Sequence, residues 1–312
     1  MTRIATAAEN SLIQFYMQQN QSQLDQLNAQ VSTGFTSETY AGIAPQASQL
    51  VDFRAQASQQ QDYINTINTV STRMQTMDLA LGQIQQQVQS FSELIPNAAY
   101  GTAQPSFVAQ AQLLLQQVAG FLNTQDGTRY VFSGVNSDTP PVNLASLPTA
   151  TASLTTPVNG TPANGGYYAG GTAIPPVRIA QQVTVNYGIT ANDASTFEPI
   201  IRVLNYIVAK GPFSSTSAAD QTSLSTMGQM LTQALQSLTT MQGNFGLQES
   251  QINTSLTEHQ SALNIAQNGV SNIVNVNQAT AITQLQSVET QIEASYTATS
   301  QIQKLSLANY LT

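Results

Sequence analysis

The chain has 312 residues, enough for two or three domains around a sizeable core. Only 8% of them are charged, against roughly 25% in an average soluble protein, and Gln, Asn, Ser and Thr supply the polarity instead. The net charge of −8 and eight scattered basic residues argue against nucleic acid or anionic lipid as a partner, and the absence of cysteine excludes disulfides and thiolate metal sites.

Helical periodicity is the strongest signal along the chain. Ile13, Met17, Asn20, Leu24, Leu27 and Val31 recur at alternating spacings of four and three, which puts them on one face of a first helix. Gly34 is a suitable stop, and residues 35–45, with Gly42 and Pro45, read as a break. A longer stripe follows, from Leu50 through Ile64, Met74, Leu81 and Val88 to Ile95, and Pro96 closes it. A third helix opens at Pro105-Ser106 and stops near the turn dipeptide Asp126-Gly127.

Beyond Thr128 the composition changes. Residues 133–177 are rich in Gly, Pro, Thr and Ala. Segments 129–132, 177–180 and 183–187 have strand character. This predicts a small β-rich insertion at 133–195, in which 145–172 reads as trimmable without harm to the helices. Helical pattern resumes near Thr196 and ends at Lys210-Gly211-Pro212. A helix with Leu224, Met227, Leu231 and Leu238 begins at Ala218 and loosens at Gly243 and Gly246. Another carries Ile252, Leu256, His259 and Leu263, and a last one Ile282, Leu285, Val288, Ile292, Tyr296, Thr299, Ile302 and Leu305.

The predicted fold is mainly α. The N- and C-terminal halves form a long antiparallel helical rod, a coiled-coil bundle, from which the β-rich domain projects. The expected division is 1–45 with 276–312 as a terminal coiled coil, 46–132 with 196–275 as the rod, and 133–195 as the insertion. Many stripe positions hold Gln, Asn, Ser or Thr. Such seams are weaker than Leu/Ile seams, because each buried polar group needs a partner. That suits terminal helices that stay open until a neighbouring subunit arrives.

The residues of chemistry are sparse. A metal site needs several ligands close together, and His259 is the chain's one histidine. It lies on a helical stripe and reads as structural. Phe132-Ser133-Gly134 lacks the preceding glycine of a nucleophile elbow. No phosphate-loop motif is present. Glu289 and Glu293, four apart, read as a solvated helix face. The expectation is a non-enzyme without catalytic residues, metal or other cofactors. No run of apolar residues is long enough to span a membrane, and the first residues lack the apolar core of a secretory signal.

Four stretches carry a resemblance: Leu27-Asn-Ala-Gln-Val-Ser-Thr-Gly34; Asp126-Gly-Thr-Arg-Tyr-Val-Phe-Ser-Gly134 with Ser137-Asp-Thr-Pro-Pro141; Val183-Thr-Val-Asn-Tyr-Gly188; and Val270–Ala279 with Ser306–Leu311. Together they resemble the flagellin superfamily. The second stretch favours the branch found at the junction between hook and filament over filament flagellin. The chain departs from the family at Ser37-Glu-Thr-Tyr-Ala-Gly42 and at Asn275 and Asn277, where acidic residues are common. The resemblance implies a flagellar structural subunit that packs on copies of itself, on a hook-side junction protein and on flagellin. It further implies export unfolded through the flagellar type III apparatus, with a chaperone on the C-terminal segment. The assembly interface would then be the terminal helices, through Ile13, Met17, Leu24, Leu27, Val31, Ile282, Leu285, Ile292, Tyr296, Ile302, Leu305 and Leu311. Filament flagellin is the alternative, and a helical secreted adhesin a more distant one.

Overall fold

The computed structural model describes residues 2–99, 104–149 and 152–308, with side chains over 11–99, 106–149 and 152–301. Seven helices and two small hairpins appear among them. They are α1 (Thr2–Thr33), α2 (Ala47–Ser92), α3 (Ile95–Ala99), α4 (Gln104–Leu122), β1 (Gln125–Asp126), β2 (Arg129–Tyr130), β3 (Pro176–Ala180), β4 (Val183–Asn186), α5 (Phe197–Lys210), α6 (Ala218–Val274) and α7 (Gln278–Ala308). The fold is mainly α, built of long helices packed on one another, with small two-stranded sheets. Two compact units form, one from residues 1–60 and 261–312, the other from 61–260.

In the larger unit the stripe of α2 is buried as its spacing predicts. Ile64, Ile67, Met74, Met77, Leu81, Ile84, Val88 and Phe91 all lie in the core. Each such side chain contributes about 1.5–3 kcal/mol when taken out of water. Leu224, Met227, Leu231, Ala234 and Leu238 of α6 join the same cluster. The Gln85 amide donates to Thr239 Oγ1 over 3.3 Å, and the rings of Tyr63 and His259 meet at a tilt of 30° with centroids 4.9 Å apart, so α2 and α6 run antiparallel here.

The loosening expected at Gly243 and Gly246 is absent: α6 is one helix of 57 residues. Two helical glycines cost only about 1 kcal/mol each. Phe245 between them is buried at 3% exposure and holds the turn against the core.

The irregular segment is not a trimmable loop either. Leu147, Val158, Tyr167 and Tyr168 are buried. The Tyr167 hydroxyl donates to the Ala191 carbonyl, the Val158 amide donates to Glu198 Oε1, and the Asn205 side chain donates to the Pro148 carbonyl. The segment therefore packs on the start of α5 and supplies part of the unit's core. Its strands are short: β1–β2 pairs Asp126 with Arg129, and β3–β4 pairs Val177 with Val185 with a bulge between Arg178 and Ala180. Phe132 is fully buried edge-on to Phe197, and Ser133 Oγ lies 2.8 Å from each of two carbonyls, those of Asn136 and Thr139. The Phe132-Ser133-Gly134 stretch thus closes a turn.

Candidate assembly interface

In the smaller unit α1 and α7 pack side by side. Met17 meets Thr299, whose hydroxyl lies 3.9 Å from the Met17 sulfur, and Gly34 approaches Gln278, so the two helices are antiparallel. Neither helix has charge complementing its ends, and neither has a strongly apolar composition. Packing, rather than propensity, holds them.

Leu27 of α1, and Ala281 and Val288 of α7, are buried. Ile13, Met17, Leu24 and Val31 on one side, and Leu285, Ile292 and Thr299 on the other, are half-buried. The seam is most buried around Leu27, Ala281 and Val288 and less so toward residues 13 and 299, where Asn20 and Ser295 occupy stripe positions.

Two residues of the expected α7 stripe face outward rather than toward α1. Ile282 is 42% exposed and Tyr296 55% exposed. The inward positions of α7 are instead Ala281, Leu285, Val288, Ile292, Ser295 and Thr299, an unbroken four-three alternation. The larger apolar neighbours Ile282 and Tyr296 fall one position out of phase. Leu311 and the side chains of Ile302 and Leu305 lie outside the described residues.

The outward surface has an apolar character that the stripe did not announce. Leu12, Phe15 and Tyr16 are each more than half exposed, and the rings of Phe15 and Tyr16 meet edge-on with centroids 5.8 Å apart. The available signal was their position out of phase with the inward stripe. A folded chain rarely leaves such a cluster uncovered.

Both helices of the pair enter through backbone breaks at the same level. Gly34 takes a positive φ of 76°, which only glycine adopts cheaply, and ends α1. On the other strand Asn277 caps α7, its side chain accepting from the Thr280 amide over 3.2 Å. Phe35 and Asn275 form an antiparallel bridge, and Gln30 closes the first break by donating to the Thr36 carbonyl over 2.8 Å. Below the break, Ile43, Leu50 and Ile273 form a small core with Phe53, whose ring lies against Gly269. Arg54 bonds the Tyr40 hydroxyl over 2.7 Å.

Elsewhere the described residues hold no group of three His, Cys, Asp or Glu suited to a metal ion, and none of their helices is long and apolar enough to cross a membrane. His259 Nε2 lies 2.7 Å from the Ile179 carbonyl, tying α6 to β3. Burial raises the Glu198 carboxyl above its ordinary range, against the pull of the Val158 amide and Arg202. Burial likewise lifts the Tyr168 hydroxyl to about 12. Both groups lie in the packed core. A groove of about 600 Å³ runs between α6 and residues 188–196; amides and hydroxyls line it together with Ile189, Met241 and Phe245, and no charged side chain does.

The bacterial flagellin N-terminal helical region matches residues 4–137, and the bacterial flagellin C-terminal helical region matches residues 228–311. No curated protein matches the chain in sequence. Among solved structures, a putative flagellar hook-associated protein from Vibrio parahaemolyticus is similar at a TM-score of 0.60 and 15% identity, over 76% of this chain and 99% of that one. FlgL of Bacillus cereus is similar at a TM-score of 0.51 and 16% identity, over 70% and 99%. Flagellar hook-associated protein 3 of Legionella pneumophila is similar at 0.53 and 13%, over 71% and 98%. The two matched regions take in α1 through β2 at one end of the chain and most of α6 with α7 at the other, the same helices whose pairing builds both units: the chain belongs to the flagellin family of bacterial flagellar structural subunits.

Proposed function

We propose that the chain is the subunit that joins the flagellar hook to the filament, as a layer of copies of itself between a hook-side junction protein and flagellin. The observation that carries this reading is the two-sided α1–α7 pair. Its inner seam is closed within the chain through Leu24, Leu27, Val31, Leu285 and Ile292, while Leu12, Phe15, Tyr16, Ile282 and Tyr296 remain outward. A heterologous contact of this kind stacks subunits head to tail without closing on itself. The likeness in fold to hook-associated proteins, together with the Asp126–Gly134 stretch, favours the junction over the filament.

The extracellular flagellum is the place of such a subunit. Export as an unfolded chain through the type III apparatus, with a chaperone on the C-terminal segment, follows from the same reading. It is supported by the weak, polar-diluted terminal helices. With few ion pairs to screen, assembly should depend little on salt.

The test is addition of labelled protein to isolated hook–basal bodies, scored by electron microscopy across a salt series, followed by flagellin. The expected result is a thin cap on the hook that then accepts flagellin, about equally at low and moderate salt. Binding to filament tips but never to hooks would move the assignment to filament flagellin.

A further inference from the structure

Two of the chain's eight basic residues line a single pocket of about 190 Å³ in the larger unit. Arg73 of α2 and Arg129 of β2 stand in it beside apolar walls from Met77, Val131, Ile174 and Ile189. Arg73 is held in place: its Nε donates to Asp126 Oδ2 over 3.1 Å and its Nη1 to the Tyr187 hydroxyl over 3.0 Å. Its Nη2 has no hydrogen-bond partner among the described residues, and Arg129 has neither an ion pair nor a side-chain hydrogen bond among them. No carboxylate lines the pocket. Asp126 offsets one guanidinium, so these groups leave one positive charge in excess on a chain of net charge −8.

We infer that this pocket is a receptor for a carboxylate-tipped side chain of a neighbouring protein subunit. A carboxylate would take the free donors of the two guanidiniums in charge-assisted bonds, which are shorter and stronger than neutral ones. Its methylene stem and an apolar neighbour would lie on the Met77–Ile189 walls. The volume is below the roughly 300–1,000 Å³ of small-molecule sites, which fits one inserted side chain rather than a metabolite. The choice of a protein ligand rests on the assembly reading above; the pocket chemistry does not.

The probe is a pair of blocked tripeptides, acetyl-Leu-Glu-Leu-amide and its Gln counterpart. They are titrated into the full chain and read by NMR of the methyl groups of Met77, Val131 and Ile174. The expected result is saturable shifts confined to the pocket with the Glu peptide, at least ten-fold weaker binding of the Gln peptide, and a similar loss in Arg129→Gln. Equal binding of both peptides, shifts elsewhere on the chain, or an Arg129→Gln variant that binds as the parent does would overturn the receptor. Sodium pentanoate binding as tightly as the Glu peptide would overturn the subunit contact in favour of a small acid. Neither hook nor filament enters this readout, so a negative outcome leaves the junction reading standing, and a failed hook assay leaves the pocket standing.

Discussion

The amide of Thr36 donates to the carbonyl of Val274 over 2.7 Å, and this bond joins the α1 break to the α7 break across 238 positions of sequence. The return bond, from the Val276 amide to the Gly34 carbonyl, is 2.9 Å. Between them Phe35 faces Asn275 as a non-hydrogen-bonded antiparallel pair, for which Cα atoms lie about 4.5 Å apart. That separation is within disulfide range. The chain has no other cysteine to compete. Phe35→Cys with Asn275→Cys should therefore oxidise to a single intramolecular bond. Thiol titration and non-reducing gels check it, and a variant that stays reduced or dimerises means that the two breaks are apart in solution.

The seam and the outward cluster of the terminal pair should respond differently. Leu24→Asp or Ile292→Asp places an unpaired charge in the seam and should cost about 2–4 kcal/mol. Proteolysis of α1 and α7 should accelerate while the melting of the larger unit stays unchanged. Phe15→Ser or Tyr296→Ser removes exposed surface only, so it should leave monomer stability within about 0.5 kcal/mol and still impair addition to hooks. If Phe15→Ser assembles normally, the outward cluster is not the contact.

Gly134 should tolerate no side chain. Its φ is +60°, and a Cβ there would press on the backbone carbonyls of Gly171 and Ala173. Left-handed backbone costs an ordinary residue about 1–2 kcal/mol before any clash. Gly134→Ala should lower the thermal midpoint of the larger unit by several degrees. Gly127, also at positive φ but with open space around it, should show only the smaller conformational cost when changed to Ala.

Two carboxylates should give the chain opposite pH slopes. Burial raises Glu198, so the folded state holds its proton more tightly than the unfolded state does. Its contribution is greatest below the ordinary glutamate range and declines as pH rises through the raised value. Asp220 is lowered, chiefly by the hydrogen bond from Lys210 and then by that from the Ser214 amide. Its contribution is present above the ordinary aspartate range and is lost as pH falls through the depressed value. Urea melts from pH 3 to 7 should show Glu198→Gln flattening the decline on the rising side and Asp220→Asn flattening the loss on the acid side. A parent profile unchanged in slope by either substitution would contradict the burial and pairing seen here.

Replacing residues 145–172 with a short Gly/Ser linker should unfold the larger unit rather than leave its helices intact. The deletion removes Leu147, Val158, Tyr167 and Tyr168 from the core and leaves the buried Glu198 without its amide donor. Circular dichroism that retained a cooperative helical transition of parental midpoint would contradict this.

The helices and most of their inward faces were legible in the residue pattern, because a helix repeats every 3.6 residues and its buried face is a local property of spacing. Leu24, Leu27 and Ile292 could be assigned that way, and Gly34 could be read as a stop from its freedom at positive φ. Ile282 and Tyr296 could not. Hydrophobicity alone drew them into the stripe, whereas packing against α1 selects the phase of Ala281 and Ser295. The role of Tyr167, the pairing of Thr36 with Val274, and the convergence of Arg73 and Arg129 on one pocket were decided only by the tertiary structure. Each depends on groups brought together from 24 to 238 positions apart in the sequence, and no local periodicity records such a meeting.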